Sequence, residues 1–112
     1  LNMPYSPVRK MIQAGLPVAM ASDYNPGSSP SGNMKFIMSL GCINYKMLPE
    51  EVINATTLNS AYAMGVEEEA GSIAVGKLAN FYITTPISGI EYLPYAYTAD
   101  LIEAIFLKGE QY

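Results

Sequence analysis

The sequence predicts an α/β fold, and three observations carry that prediction. A helical pattern over about Pro7 to Ala14 passes through Gly15 straight into the apolar run Leu16-Pro17-Val18-Ala19-Met20-Ala21, which does not alternate. Helical patterns return after the next loop and continue to Gly65. Beyond Gly65 the character changes, with glycines punctuating short apolar and β-branched stretches. A strand without alternation is usually covered on both faces, as in parallel sheets and α/β barrels.

Composition narrows what such a fold could do. Half of the 112 residues are hydrophobic and 14% are charged, which is too apolar for disorder and unusually poor in solvating charge for a free-standing small domain. That balance suggests a trimmed chain, or surfaces covered by something else. The net charge is −4 and the six Lys and Arg form no dense cluster, so nucleic acid is not expected as a partner. No apolar run approaches the roughly 20 residues that span a bilayer, and Leu1-Asn2-Met3-Pro4 lacks the basic start and apolar core of a signal peptide. No membrane association is expected, and a cytoplasmic location is the default. A single cysteine, Cys42, cannot form an internal disulfide and fits a reducing compartment. The chain holds no histidine, which excludes a Ser-His-Asp or Cys-His arrangement and any imidazole-built zinc site from these residues alone.

Each element follows from local signals. Ser6-Pro7 reads as an N-cap with Pro at the first helical position, and Val8, Met11 and Ile12 recur at helical spacing until Gly15. The run from Pro17 to Ser22 is the expected buried strand. After a loop, Met34, Ile37, Met38, Gly41 and Tyr45 mark one face of a helix expected from about Ser31, with Cys42 beside that face and read as core packing. Leu48-Pro49-Glu50-Glu51 opens a third helix, with two carboxylates where the dipole favours them. Adjacent helical residues do not face one another, so Glu50 and Glu51 read as a solvated helix start and not an acid/base pair.

Thr56-Thr57 interrupts the helix formers, and Asn59-Ser60-Ala61-Tyr62-Ala63-Met64 resumes them. Glu67-Glu68-Glu69 reads as a solvated surface run. Strands are expected at about Phe81 to Thr84 and Leu101 to Leu107, then a Gly109-Glu110 turn and a returning strand at Gln111-Tyr112. A strand cut at the terminus is a second hint of trimming. Tyr92, Tyr95 and Tyr97 around Pro94 have no basic residues among them, so packing against a partner surface is expected.

The stretch that could carry chemistry is Ser22-Asp23-Tyr24-Asn25-Pro26-Gly27-Ser28-Ser29-Pro30, where the apolar run delivers a carboxylate to a polar loop. Asp23 has two readings. It is a turn former, with Ser28 to Ser31 capping the next helix. Otherwise its carboxylate ligates a metal or takes a proton from water, while amides near Gly27 and the Ser28 hydroxyl hold a polar or anionic group at a helix N-terminus. Gly27 lets a ligand approach the backbone, and Pro26 stiffens the loop. A phosphate loop is a poor match, because no Gly-Lys-Ser/Thr ending follows.

That loop closely resembles the one after the last barrel strand in the imidazolonepropionase family of the amidohydrolase superfamily. The similarity continues through Leu48-Pro49-Glu50-Glu51-Val52, Asn54 to Ala61, and Gly71-Ser72-Ile73-Ala74-Val75-Gly76-Lys77-Leu78-Ala79-Asn80, covering essentially the whole chain. The resemblance implies the C-terminal part of a metal-dependent (β/α)8 amidohydrolase barrel over residues 1–65, plus part of an accompanying small β domain over 66–112. It implies hydrolysis of 4-imidazolone-5-propanoate to N-formimino-L-glutamate, in histidine degradation. Asp23 matches the metal-ligating, proton-accepting aspartate, and Asn25, Gly27 and Ser28 match positions against the substrate. Zinc or iron is the implied metal, its other ligands lying in an N-terminal part of the same protein, so these residues alone are expected to be inactive.

Ile73 and Asn80 depart from the Leu and Asp usual in the superfamily pattern, which touches a turn more than the site. Exposed flanks suggest self-association, such as a homodimer. Two alternatives stay open: another amidohydrolase, deaminase or dihydroorotase-like, or a non-catalytic β-rich assembly domain with Asp23 as a cap.

Overall fold

A computed structural model describes residues 3–112; Leu1 and Asn2, where the expected first unit begins, lie outside the described residues. Helix α1 (Val8–Gln13) is followed by an extended segment over 16–22, then α2 (Met34–Ile43), α3 (Pro49–Thr56) and α4 (Leu58–Met64). Strand β1 (Phe81–Thr84), a single helical turn α5 (Tyr92–Tyr95), and strands β2 (Ile102–Leu107) and β3 (Glu110–Gln111) complete the chain.

The helices pack around one core of Val8, Val18, Met38, Met47, Val52 and Ala55, with Met11, Ile12, Met20, Cys42 and Tyr45 against it. Val8, Met38, Val52 and Ala55 come from helices, Val18 from the extended segment and Met47 from the connection between α2 and α3. Gly41 is what lets α2 close on α3: a Cβ there would lie 2.3 Å from Val52 Cγ2 and 3.1 Å from Met20 Sδ. Val52 is fully buried as a result. Burial pushes the Cys42 thiol up from its ordinary value, and Glu50 and Glu51 add to the effect. A raised thiol suits packing and not nucleophilic attack.

Helix α2 begins at Met34, later than Ser31. Its cap is Asn33, whose Oδ1 accepts from the amides of Lys35 (3.0 Å) and Phe36 (3.3 Å). Pro7, not Ser6, occupies the N-cap position of α1, with no side-chain cap. At α3, Pro49 starts the helix and the Glu51 carboxylate accepts from the Leu48 amide at 2.7 Å. Glu51 is not simply solvated. It forms a two-point ion pair with Arg9 of α1, whose guanidinium also donates to the Lys46 carbonyl at 2.8 Å. The Arg9 hydrogen bond, then the Leu48 amide, hold the Glu51 carboxyl below its usual range.

The break between α3 and α4 falls at Thr57, with φ −124° and ψ −88°. Thr56 and Thr57 turn their hydroxyls back onto the Val52 and Ile53 carbonyls, a local competition that ends the helix. Gly65 then stops α4 in the left-handed conformation, φ 69°.

Strands β1, β2 and β3 form an antiparallel sheet in that order, with Phe81 opposite Phe106 and their rings stacked at 4.9 Å. Ahead of the sheet, the 66–78 stretch is a chain of turns held by Lys77, whose ammonium donates to the Glu67 and Ala70 carbonyls and to Ser72 Oγ. Asn80 ties the β2–β3 turn, its Oδ1 accepting from the Lys108 amide at 2.8 Å. Its departure from the superfamily pattern therefore does fall on a turn. The sheet joins the helical part through α5 packed on α2 and the Phe36–Tyr97 ring contact. No described helix is long and apolar enough to cross a membrane.

Candidate functional site at the end of the extended segment

The run expected as a strand covered on both faces is extended but pairs with no other strand among the described residues, and one face is bare. Val18 is buried and Met20 and Ser22 half-buried, while Pro17, Ala19, Ala21 and Asp23 are exposed. This is the period-2 alternation of a strand. It was hidden in the sequence because, ahead of Asp23, the exposed side carries Pro and Ala and not charge.

The carbonyls of Val18, Met20 and Ser22 lie on one edge and are all occupied. Val18 accepts from Asn59 Nδ2 at 2.8 Å, Met20 from Ser60 Oγ at 3.1 Å, and Ser22 from Ser29 Oγ at 2.6 Å. On the same edge the Met20 amide donates to the Ala55 carbonyl at 2.9 Å. The helical part thus holds the segment from one side only.

Asp23 ends the segment with φ 49°, one of three non-glycine residues with positive φ among those described. Asp tolerates that conformation better than most residues. Its carbonyl accepts from Asn25 Nδ2 at 2.6 Å, while its carboxylate has no hydrogen bond or ion pair among the described residues. Asp23 lines a cleft of about 470 Å³ together with Ser28, Ser31, Tyr5 and Tyr45. Tyr5 is a cleft residue that sequence reasoning missed. It is held edge-on against Tyr45 at 5.3 Å and accepts at its hydroxyl from Asn44 Nδ2. No local pattern links Tyr5 to Asn44, 39 positions on.

The loop closes on Asn25. Its Oδ1 accepts from the Gly27 amide (2.9 Å), the Ser28 amide (2.8 Å) and Ser28 Oγ (3.3 Å), and its backbone N–H donates to the Ser29 carbonyl. Asp23, Asn25 and Ser28 are therefore brought together, and Gly27 joins them through its backbone. The expected anion cradle takes a different form. Gly27 and Ser28 lie well before the first residue of α2, so no helix N-terminus serves them, and their amides face Asn25.

One exposed carboxylate at the mouth of a cleft fits as a single member of a metal's ligand set. The described residues hold no group of three His, Cys, Asp or Glu side chains that could complete it.

Against that geometry the comparisons are specific. The sequence pattern of the amidohydrolase family matches residues 4–109, and the chain belongs to that family. Among curated relatives, the imidazolonepropionase of Flavobacterium johnsoniae is 56% identical over 110 residues, which is 98% of this chain and 27% of that protein. The imidazolonepropionase of Christiangramia forsetii is 52% identical over the same shares. That of Streptococcus pyogenes serotype M1 is 42% identical over 95% of this chain and 25% of its own length. The chain spans about a quarter of these relatives. A crystal structure of an amidohydrolase from Thermotoga maritima superposes with a TM-score of 0.70 at 20% identity, covering 93% of this chain and 24% of the other, which supports the fold alone.

Proposed function

We propose that this chain is the part of an imidazolonepropionase that supplies the last strand of a (β/α)8 barrel and its catalytic carboxylate. Residues 1–65 contribute the closing helix–strand–helix units, and 66–112 part of a small β domain. The observation that carries the reading is the placement of Asp23: a carboxylate unpaired among the described residues, at the end of an extended segment whose small residues, Ala19 and Ala21, share its bare face. Catalytic groups of barrel enzymes sit at the C-terminal ends of strands. The 52–56% identity to imidazolonepropionases over 98% of the chain supports that substrate over other cyclic amides.

In the proposed reaction water adds to the ring amide carbon of 4-imidazolone-5-propanoate and the C–N bond opens, giving N-formimino-L-glutamate. Asp23 takes the proton of the attacking water and returns one to the departing nitrogen. Asp23, with ligands outside these residues, would hold a zinc or iron ion, which would supply Lewis acidity at that centre. Asn25 shapes the loop, and Ser28 and the Gly27 backbone border the substrate. The protein works in the cytoplasm on a small molecule, needs the remaining barrel from the same protein, and self-associates as a homodimer.

The test is turnover by the intact protein, followed as loss of imidazolonepropionate absorbance. Asp23→Asn keeps the shape and removes the base, and kcat is expected to fall by about 10³-fold or more. Wild-type turnover in that variant refutes the assignment.

A further inference from the structure

The loop residues hold Asp23 from in front, but the larger constraint comes from behind, out of the break between α3 and α4. In an unbroken helix the Ala55 carbonyl would accept from the amide of residue 59. Because the helix stops at Thr57, that carbonyl is released, and it accepts instead from the Met20 amide at 2.9 Å and from Ser60 Oγ at 2.7 Å. The restarted helix α4 then places Asn59 and Ser60 against the segment: Asn59 Nδ2 donates to the Val18 carbonyl 41 residues away, and the single Ser60 hydroxyl proton is shared between the Ala55 carbonyl and, at 3.1 Å, the Met20 carbonyl 40 residues away. Thus two side chains and one orphaned helix carbonyl occupy consecutive same-edge positions of the segment that ends at Asp23.

We propose that Asn59 and Ser60 are positioning residues for Asp23: they fix, through the backbone of Val18 and Met20, the height and direction at which the segment presents its carboxylate. The inference rests on the reading of Asp23 as ligand and base. Its physical basis is that an extended segment held along a single edge has its register set by those few bonds. Losing one leaves a carbonyl without its donor, and the segment is then free to slide or twist by a fraction of a residue. Displacements of that size matter where a ligand must meet its metal; direct partners of a metal ligand change affinity by about 10- to 100-fold, and that range is the upper bound for Asn59 and Ser60, which act on Asp23 through the backbone five and three residues ahead of it.

The experiment uses the intact protein with Ser60→Ala, Ser60→Thr, Asn59→Asp and Asp23→Ala. Three quantities are read: hydrogen exchange of the Met20 amide without metal, zinc affinity by chelator competition, and kcat and KM for imidazolonepropionate. Ser60→Ala and Asn59→Asp are expected to speed Met20 exchange about tenfold, weaken zinc by up to about 10- to 100-fold and lower kcat, with KM changed less than about twofold. Ser60→Thr, which keeps the hydroxyl, restores all three. Should Ser60→Ala fail to fold, Asn59→Asp, which alters one atom, gives the same readings. Zinc affinity and kcat unchanged in both variants, with only a lower melting temperature, would overturn the proposal. Unchanged zinc in Asp23→Ala refutes the functional reading instead, and Met20 exchange then decides on the clamp by itself.

Discussion

The two parts of the molecule solve the burial problem differently. From α1 to α4 the helices cover one another and bury Val8, Val18, Ile37, Met38, Met47, Val52, Ala55 and Ala61. From Val66 onward only Pro94 and Leu101 are buried, while Ile73 is 87% exposed, Tyr112 90%, and Val75 fully open. The helices satisfy their own backbone and need only a shared apolar face. A three-stranded sheet ending in a two-residue strand has both faces to cover and one thin layer with which to do it. The first part carries its own core; the second offers apolar surface of the kind that an adjoining domain covers.

That contrast predicts where substitutions will hurt. Val52→Ala removes two methyl groups from a fully buried site and should cost about 2 kcal/mol in denaturant unfolding of the chain. Gly41→Ala drives a Cβ into Val52 and Met20 and should cost about 1–3 kcal/mol, a rare case of alanine destabilising a helix interior by overpacking. A smaller effect is expected at the α1–α3 ion pair. Glu51→Gln should lower Tm by about 2–5 °C near neutral pH, an amount limited by solvent around both partners. The sign with pH follows from the depressed Glu51 carboxyl. Its contribution is complete above the ordinary Glu range and disappears as pH falls through the lower folded value, so wild type and Glu51→Gln should converge on acidification below about pH 4. Smallest of all, Val75→Ser should change stability by less than about 0.5 kcal/mol. A loss comparable to Val52→Ala would break the contrast, because it would show that the second part is covered in solution.

What could be read from the sequence divides along the same line. The α3–α4 break at Thr57 and strand Phe81–Thr84 were legible because helix period, β-branched runs and turn residues act within a few positions. The loop at Asp23 was legible as a polar turn closing an apolar run, with its turn-forming and ligating readings both open, and the structure gathers Asp23, Asn25 and Ser28 around that turn. Pairing across distance was not. Nothing near Glu51 announces Arg9, 42 residues earlier, and nothing near Met20 announces Ser60. The bare face of the expected strand is a related case: its apolar composition anticipates neighbours on both faces, and among the described residues, which span about a quarter of the relatives' length, only the helices meet it. The helix cap at Asn33 was missed because Ser28, Ser29 and Ser31 upstream offered equally good capping chemistry, and local geometry, not residue type, chose among them.

In the proposed function this chain contributes one metal ligand, Asp23, to an amidohydrolase site. Metal content of the intact protein, purified as wild type and as Asp23→Ala and measured by elemental analysis, tests it most directly. The account predicts close to one zinc or iron per wild-type subunit and a loss of most of it in the variant. Equal metal content in the two proteins would contradict it.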